Sequence, residues 1–376
     1  MTALLEARNV TKVFGGSLFD KSHTVALDDF SFKIESDVPS VTSIVGESGS
    51  GKTTLARLLL GLVAPTKGEV LYNGRSIERL SGSQRKQFLR DIQVIFQDPF
   101  EVYNPFYRID HVLDTPIRNF GLAKNAKERS NLINESLEAV GIRPEEILGR
   151  FPHELSGGQR QRIMVARALL LRPKLIIADE PVSMVDASLR ATILGSLLRL
   201  NREFGISLIY ITHDLTTAYQ VSEDIMVLYR GSVAEAGDVD QVVQNPEHPY
   251  TRLLVGSIPL PDPALPWEGE RAIGRPAGEL GVEGEKFCKF NDRCPFAMPM
   301  CVKTAPPLFH THPNRVASCF LYRESPELPM EQMTGIFKSA NRTGPPEATD
   351  QIESLDLAGS ESHQHEDSSV TPGADD

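Results

Sequence analysis

The stretch GESGSGKTT at residues 46–54 combines closely spaced glycines with a lysine and a threonine, a pattern that binds phosphate. Glycines let the backbone curl so that successive N–H groups converge on phosphate oxygens at the start of a helix, where the helix dipole favours an anion. The lysine can then reach the β and γ phosphates, and the first threonine hydroxyl can ligate Mg²⁺. The predicted nucleotide-binding residues are Gly46, Glu47, Ser48, Gly49, Ser50, Gly51, Lys52, Thr53 and Thr54.

A pair of acidic residues ends a second apolar stretch, KLIIADEP. Its apolar residues predict a buried strand, and the acids that follow face the edge of the sheet where α/β folds bind ligands. We expect Asp179 to hold Mg²⁺, usually through water, and Glu180 to orient or deprotonate an attacking water. The two stretches together predict a site that hydrolyses a nucleoside triphosphate.

Short apolar runs predict the elements that position these residues. Strands are expected at LLEARNV, VTSIVG, IQVIF, KLIIAD, ISLIYIT and EDIMVLY, with helical patterns between several of them. This alternation predicts a layered α/β domain over residues 1–240. A helical insert is expected at about 98–170, where KERSNLINESLEAVG places Leu132, Ile133, Leu137 and Val140 on one face.

Composition distinguishes two segments in the remainder of the chain and argues against several classes of function. Residues 241–325 are rich in Pro and Gly and predict a loop-rich extension, whereas residues 326–376 are polar and acidic and predict disorder. The net charge of −11 is concentrated in the tail, since residues 344–376 hold nine acidic and no basic residues, and the body is nearly neutral. A neutral body argues against nucleic-acid binding, and the apolar runs are too short to span a bilayer or to direct secretion.

The stretch ELSGGQRQRIMVARAL gives the chain a resemblance to the ATP-binding subunits of ABC transporters. LSGGQ, Leu155–Gln159, is similar to that family's signature, and its small residues at a helix start make a second anion site. The resemblance implies a P-loop NTPase fold of ABC ATPase type with a helical signature subdomain. It also implies a head-to-tail pair of domains, each ATP lying between one phosphate loop and the partner's Ser156, Gly157, Gly158 and Gln159.

The same resemblance assigns four further residues. Gln97 in VIFQDP resembles the glutamine that touches Mg²⁺ and the attacking water, and His213 in IYITHD resembles the switch histidine at the γ phosphate. Asp186 in SMVDAS resembles the aspartate that contacts the partner domain, although the family more often has EPTSALD than EPVSMVD. Phe14 in VTKVF stands where an aromatic residue stacks on adenine, or is an ordinary core residue. The implied catalytic set is Lys52, Gln97, Glu180 and His213, and the implied Mg²⁺ ligands are Thr53, Gln97 and Asp179.

The segment NPEHPYTRLLVGSIP and the cysteine-containing stretch after it resemble the C-terminal part of oligopeptide and dipeptide importers and of their nickel and opine relatives. The likeness implies a motor subunit bound peripherally at the cytoplasmic face of the inner membrane. Its implied partners are a second ABC ATPase, two transmembrane permease subunits and, indirectly, an extracytoplasmic substrate-binding protein. The alternative is a soluble ABC ATPase of translation or DNA maintenance, but the chain lacks the second ATPase domain or the long coiled coil usual there.

All four cysteines of the chain lie in this extension, at Cys288, Cys294, Cys301 and Cys319. A cytosolic setting favours metal ligands or free thiols over disulfides. The spacing C-x5-C-x6-C-x17-C lacks the C-x2-C pair usual for structural zinc, yet four thiolates match the ligand count of a 4Fe-4S cluster. Importers that resemble this chain carry such a cluster, so the resemblance implies one, with zinc, free thiols and disulfides as the alternatives.

Overall fold

The predicted strands are all present in the fold. The computed structural model describes residues 3–17, 20–98, 103–258 and 287–337, and each apolar run named above forms a strand within them. In chain order the strands are β1 Ala3–Ser17, β2 Asp20–Glu35, β3 Val41–Val45, β4 Lys67–Tyr72, β5 Arg75–Ser76, β6 Ile92–Ile95, β7 Leu175–Asp179, β8 Ser207–Thr212, β9 Asp224–Tyr229, β10 Ser232–Asp238, β11 Leu308–His312, β12 Arg315–Ala317 and β13 Glu327–Leu328.

The α-helices of the described residues lie between these strands. In chain order they are α1 Lys52–Leu59, α2 Gly82–Asp91, α3 Ile109–Phe120, α4 Ala126–Glu138, α5 Pro144–Ile147, α6 Gly157–Leu169, α7 Ala187–Phe204, α8 Leu215–Val221, α9 Val239–Gln244 and α10 Pro249–Gly256. No helix among the described residues is both long enough and apolar enough to cross a membrane.

The larger sheet has the strand order β13-β11-β12-β10-β9-β3-β8-β7-β6 within the described residues. Strands β9, β3, β8, β7 and β6 are parallel. Every residue of β3, β7, β8 and β9 is buried, because both faces of the sheet are covered, and this is why continuous apolar runs predicted them. Parallel strands end at the same edge, so the loops that follow them meet there.

Two hydrophobic clusters cover the faces of this sheet. One face packs against α1 and a smaller antiparallel sheet of order β2-β1-β4-β5, with Leu55 and Leu59 of α1 beside Phe30 of β2. The opposite face packs against α6, α7 and the helical insert. Helix α1 therefore begins at the phosphate loop and is held between the two sheets.

The segment at about 98–170 is mainly helical, as its sequence pattern predicted. Helices α3 to α6 occupy it, and α4 begins at an N-cap, Asn125, whose side chain accepts the Glu128 N–H. Ile133 and Leu137 of α4 are buried, and Val140, which follows the helix, is buried with them. The apolar face read from the sequence is therefore the face that packs against the neighbouring helices.

The C-terminal extension contains strands that the sequence pattern did not reveal. β12 pairs with β10 of the α/β domain, with Ala317 opposite Glu235, so the extension continues the larger sheet. Arg315 in β12 is buried and donates to the Gln241 and Asn245 carbonyls at 3.0 and 2.8 Å. The domain boundary near residue 240 stays a prediction.

The prediction of disorder beyond residue 325 is wrong for residues 327–337. They contain β13 and a 3-10 helix, Met330–Ile336, whose Met333 is fully buried in the cluster beneath the antiparallel sheet. The segment has few apolar residues and an acidic composition around them, so its composition predicted disorder. The prediction for residues 338–376 lies outside the described residues.

Candidate active site

Four predicted site residues or segments follow neighbouring parallel strands. The phosphate loop follows β3, Gln97 follows β6, Asp179 ends β7 with Glu180 next to it, and His213 follows β8. Because β3, β8, β7 and β6 are adjacent in that order, their carboxyl ends bring these groups to one edge. The sheet topology thus builds the site that the separate motifs predicted.

The phosphate loop passes close to backbone on both sides. Gly46 and Gly51 have φ values of 155° and 105°. A Cβ atom at Gly46 would lie 2.2 Å from the Leu228 carbonyl oxygen, and one at Gly51 would lie 2.3 Å from the Ala26 carbonyl oxygen. Side chains have no room at these positions, which explains why glycine is needed. The loop is therefore held against β9 and β2 as it turns into α1.

Lys52 begins α1 and points back into the loop. Its Nζ donates to the carbonyl oxygens of Gly46 and Glu47 at 2.7 and 3.0 Å. Burial lowers the pKa of Lys52, and the nearby carboxylates of Glu180, Asp179 and Glu47 oppose that shift. A buried cation at a helix N-terminus makes the loop electropositive, as phosphate binding requires.

Asp179, at the end of β7, lies near Thr53 in the first turn of α1. Thr53 is near enough to Asp179 to lower the pKa of its carboxyl group, and the Asp179 Oδ1 atom is buried without a hydrogen-bond partner among the described residues. Burial raises the pKa of Asp179, and the Glu180 carboxylate raises it further. A nearby cation would relieve both effects. One carboxylate oxygen and one hydroxyl are the protein ligands that Mg²⁺ uses beside phosphates, so these residues fit the ion.

Glu180 follows β7, and one of its carboxylate oxygens contacts a residue after β6 and a residue after β8. Its Oε2 lies 3.2 Å from Nε2 of Gln97 and 3.1 Å from Nδ1 of His213. The Glu180 backbone has a φ of 48°, unusual for a residue with a side chain, and its N–H donates to the Ile211 carbonyl at 2.8 Å. A base held by two further polar groups can orient a water molecule at the edge of the phosphate loop.

Phe14 lies beside the phosphate loop and is not a core residue. It pairs with Thr24, two residues before Ala26, whose carbonyl contacts Gly51. Its side chain is 42% exposed, and the Lys12 ammonium lies 5.0 Å from the ring centroid. An exposed ring next to the loop is available for stacking on a nucleotide base, so the adenine assignment stays a prediction with a suitable position.

The signature residues form a capped helix start. Ser156 is the N-cap of α6: its Oγ accepts the Gln159 N–H at 3.2 Å, and Gln159 Oε1 accepts the Ser156 N–H at 3.0 Å. Ser156 is exposed. No hydrogen bond or ion pair within the described part of the chain joins residues 156–159 to residues 46–54. Among the described residues, the two predicted anion sites are therefore not joined to each other by polar contacts.

The signature is packed against the start of α7. A Cβ atom at Gly158 would lie 1.6 Å from Cδ2 of Leu189. Asp186 is the N-cap of α7, and its Oδ1 accepts from the Leu189 N–H and the Ser188 hydroxyl at 2.9 and 2.8 Å. These hydrogen bonds lower the pKa of Asp186. Asp186 thus positions the residue that fixes the signature helix, and its contact with a partner domain stays a prediction.

Two residues that the motifs did not single out touch the phosphate loop. The Tyr250 hydroxyl accepts the Glu47 N–H at 2.8 Å, and the Arg293 guanidinium makes two hydrogen bonds to the Glu47 carboxylate. The N–H of Glu47 therefore has a protein partner already. Tyr250 lies in the segment NPEHPYTRLLVGSIP and Arg293 in the cysteine-containing stretch after it, but nothing in their spacing indicated the loop.

Comparison with known proteins decides the family. Residues 27–183 match the family model described as ABC transporter, and residues 234–301 match the one described as oligopeptide/dipeptide transporter, C-terminal region. A putative oligopeptide transport ATP-binding protein of Bacillus subtilis is 41% identical over 81% of this chain and 92% of its own length. The chain belongs to the ATP-binding proteins of ABC transporters. The oligopeptide transport ATP-binding protein OppF of Escherichia coli is 42% identical over 70% of this chain and 79% of its own length.

Solved structures agree with the fold of this ABC ATPase. A dimeric ATP-binding cassette in a post-hydrolysis state, bound to ADP and phosphate, matches with a TM-score of 0.56 and 30% identity. The match covers 62% of this chain and 98% of that cassette. The predicted α/β fold of ABC ATPase type is confirmed, and the chain is an ABC-type ATPase.

The four cysteines of this ABC ATPase lie in one patch and are all free thiols. The Cys288 N–H donates to the Cys301 carbonyl at 2.8 Å, and Cys288 packs in the hydrophobic clusters that contain Cys294 and Cys301. Burial raises the pKa of Cys288 to about 12 and that of Cys319 to about 11. No disulfide joins these cysteines, and the raised pKa values keep the Cys288 and Cys319 thiols protonated near neutral pH unless a cation binds them.

One sulfur atom accepts a backbone hydrogen bond, and amides lie near the other three. The Met298 N–H donates to Cys301 Sγ at 3.4 Å. The backbone amides of Phe290, Phe296 and Leu321 oppose the rise in the pKa of Cys288, Cys294 and Cys319. Amide donors of this kind stabilise thiolates. Yet no three Cys, His, Asp or Glu side chains of the described residues surround a point where one metal ion would bind. The described residues of the patch therefore do not assemble a site for a single metal ion.

Proposed function

We propose that this ABC ATPase is the motor subunit that powers import of oligopeptides or dipeptides through separate membrane subunits. The observation that carries the proposal is the match of residues 234–301 to the oligopeptide/dipeptide transporter C-terminal region, joined in one chain to the ABC transporter match at residues 27–183. The two curated relatives described above are oligopeptide transport proteins, so a role in translation or DNA maintenance is not proposed.

ATP is hydrolysed at a site that two chains complete. The γ phosphate of an ATP bound to one phosphate loop meets the exposed signature helix of the partner, whose capped N-terminus supplies further N–H groups. This arrangement is supported by the absence of hydrogen bonds between residues 156–159 and 46–54 in the described chain and by the dimeric state of the matching cassette. The partner is an identical chain or a related one.

The chemical step is an in-line attack of water on the γ phosphorus. Glu180 orients the water and accepts its proton, and Gln97 and His213 fix the Glu180 carboxylate through Oε2. Negative charge that develops on the phosphate oxygens is stabilised by Lys52 and His213. Mg²⁺, held by Thr53 and Asp179 with Gln97 close by, adds positive charge at the β and γ phosphates when it is bound.

A cleft between the sheet edge and the helical insert is the docking site for a cytoplasmic segment of a membrane permease. The cleft has a volume of about 940 Å³. Leu89 and Tyr107 on its rim are 44% and 50% exposed, and Phe96 and Val112 also line it. Because Gln97 and Asp179 form part of the same cleft, a docked segment would sense the state of the ATP site. Docking there places the protein peripherally at the cytoplasmic face of the membrane.

Co-purification tests the transport role. The full-length chain, carrying an affinity tag, is purified from detergent-solubilised membranes with and without a Tyr107→Glu, Leu89→Glu double change in the cleft. We expect two permease subunits and a second ATPase subunit to accompany the wild-type chain and to be lost from the variant. Recovery of the tagged chain without any membrane protein would contradict the transport role.

The cysteine patch holds a 4Fe-4S cluster in the intact protein. Four free thiols in one patch support this, as does the amide donor to Cys301 Sγ. The protein is purified without oxygen, and its visible absorption, iron and acid-labile sulfide are measured beside a Cys301→Ser variant. We expect about four iron atoms per chain in the wild type. Zinc, or a wild-type chain without iron, would contradict the cluster.

A further inference from the structure

Glu47, inside the phosphate loop, is held by two residues from the C-terminal part of the chain. The Arg293 guanidinium donates from Nη1 to Oε2 and from Nη2 to Oε1 of Glu47 at 2.9 and 3.0 Å. The Tyr250 hydroxyl accepts the Glu47 backbone N–H at 2.8 Å. Side chain and backbone of one loop residue are thus fixed from outside the loop. We call these two contacts the Glu47 clamp.

The clamp is built from immobilised groups. The Arg293 side chain is only 13% exposed, and its guanidinium lies 5.6 Å from the ring centroid of Phe290 and 5.9 Å from that of Tyr229. Tyr250 is fully buried, and its ring packs on Tyr229 with 4.5 Å between centroids. A forked, stacked guanidinium loses little side-chain freedom when it binds a carboxylate, so the pair is stronger than an ordinary surface ion pair.

The position of Glu47 also determines that of the lysine. The Glu47 carbonyl accepts from Lys52 Nζ at 3.0 Å and from the Ser50 N–H at 3.1 Å. Displacement of Glu47 would therefore release the ammonium group and open the turn that aims the loop amides. The Glu47 clamp is connected to phosphate binding through these two hydrogen bonds.

We propose that Arg293 and Tyr250 are positioning residues for the ATPase reaction, which hold the phosphate loop in its binding conformation through Glu47. Neither residue belongs to the phosphate loop; both act on it through Glu47. Their effect is preorganisation, because a loop that is already curled loses less entropy when phosphate binds. The extension thereby has a direct role at the ATP site of its own chain, in addition to any role at the membrane.

The test is a double-mutant cycle between Arg293 and Glu47 in the full-length protein. Equilibrium binding of ATP and steady-state hydrolysis are measured for Arg293→Gln, Glu47→Gln, the double variant and Tyr250→Phe. We expect the Kd and KM for ATP to rise about tenfold in Arg293→Gln, the scale of a lost charged hydrogen-bond pair, with kcat nearly unchanged. The double variant should bind ATP no more weakly than the single ones, because both changes break one interaction.

The matched control is Asp292→Asn. Asp292 precedes Arg293 and pairs with Arg230 at 3.2 Å, so the change weakens the same segment while leaving the Glu47 clamp in place. We expect its ATP affinity to equal that of the wild type even if its melting temperature falls. Arg293→Lys, which keeps the charge but loses the fork, should recover part of the affinity.

Three results would overturn the proposal. They are wild-type ATP affinity in Arg293→Gln, an equal loss of affinity in Asp292→Asn, and additive losses in the Glu47→Gln and Arg293→Gln pair. If Arg293→Gln does not fold, Glu47→Gln and Tyr250→Phe remain decisive, because the Glu47 side chain is 38% exposed and the second change removes one hydroxyl. Wild-type affinity in both would reject the role of the clamp.

Discussion

Replacing Glu180 with Gln separates the binding of ATP from its hydrolysis. The Gln side chain has the same shape, and its amide oxygen can still accept from Gln97 Nε2 and His213 Nδ1, which lie 3.2 and 3.1 Å from Oε2. The variant loses the negative charge that accepts a proton from water. It also loses the charge that raises the pKa of Asp179, so Asp179 ionises more readily and continues to fit Mg²⁺.

The expected loss of rate follows from the role of a general base. Such a group contributes about 10²- to 10⁴-fold to a rate, so kcat should fall by that factor, equal to about 3–5 kcal/mol in activation free energy. The Kd for ATP should stay the same or decrease, because removing a carboxylate beside the phosphate loop reduces repulsion of the triphosphate. Phosphate release and equilibrium nucleotide binding measure the two quantities on the same preparation.

The control for Glu180 is the same chemical change at Glu203, an exposed residue of α7 that pairs with Arg199. Glu203→Gln should leave both kcat and the Kd for ATP at wild-type values. Glu180 would not be a general base that is dispensable for binding if Glu180→Gln hydrolysed ATP within a few-fold of the wild-type rate, or if it lost ATP binding together with hydrolysis.

Three further predictions concern other parts of the chain. Gly158→Ala would place a methyl group against Leu189, so we expect hydrolysis to fall several-fold while ATP binding to the separate phosphate loop is unchanged, as phosphate release and binding assays will show. Phe14→Ala should weaken ATP binding about fivefold, a typical loss for one stacked ring that is partly exposed, without changing the affinity for tripolyphosphate, which has no base. His248 is buried and its pKa is lowered to about 3, so the folded state binds fewer protons than the unfolded state between about pH 6.5 and pH 3. The wild type should therefore lose stability relative to His248→Gln as the pH falls through that window, and a constant difference in melting temperature would contradict this.

The sequence was sufficient to predict the parallel strands of the larger sheet and the residues that follow them. The strands before the phosphate loop and at Asp179 were predicted because strands buried on both faces read as continuous apolar runs. The convergence of Asp179, Glu180 and the loop followed from a general property of parallel sheets. Gln97 and His213 came from the family resemblance, since a single polar residue after a strand carries no local signal.

The parts that were missed depend on contacts between distant positions. Arg293 and Tyr250 lie 246 and 203 residues from Glu47 in the chain, and no local pattern reports such a pairing. Strand β12 has three residues and is recognisable only by its pairing with β10. The buried 3-10 helix at Met330–Ile336 was hidden because its apolar residues are few and precede a strongly acidic tail.

A direct test of the proposed role as the motor subunit of a peptide importer is to measure peptide uptake driven by ATP. The full-length chain is reconstituted with its co-purified membrane subunits in lipid vesicles, ATP is placed on the side that carries this chain, and a binding protein with labelled oligopeptide is placed on the other side. We expect labelled oligopeptide to accumulate in the vesicles only when ATP is hydrolysed, and we expect no accumulation with the Glu180→Gln variant. Hydrolysis that continues unchanged with and without peptide, together with no accumulation of label, would contradict the proposed role.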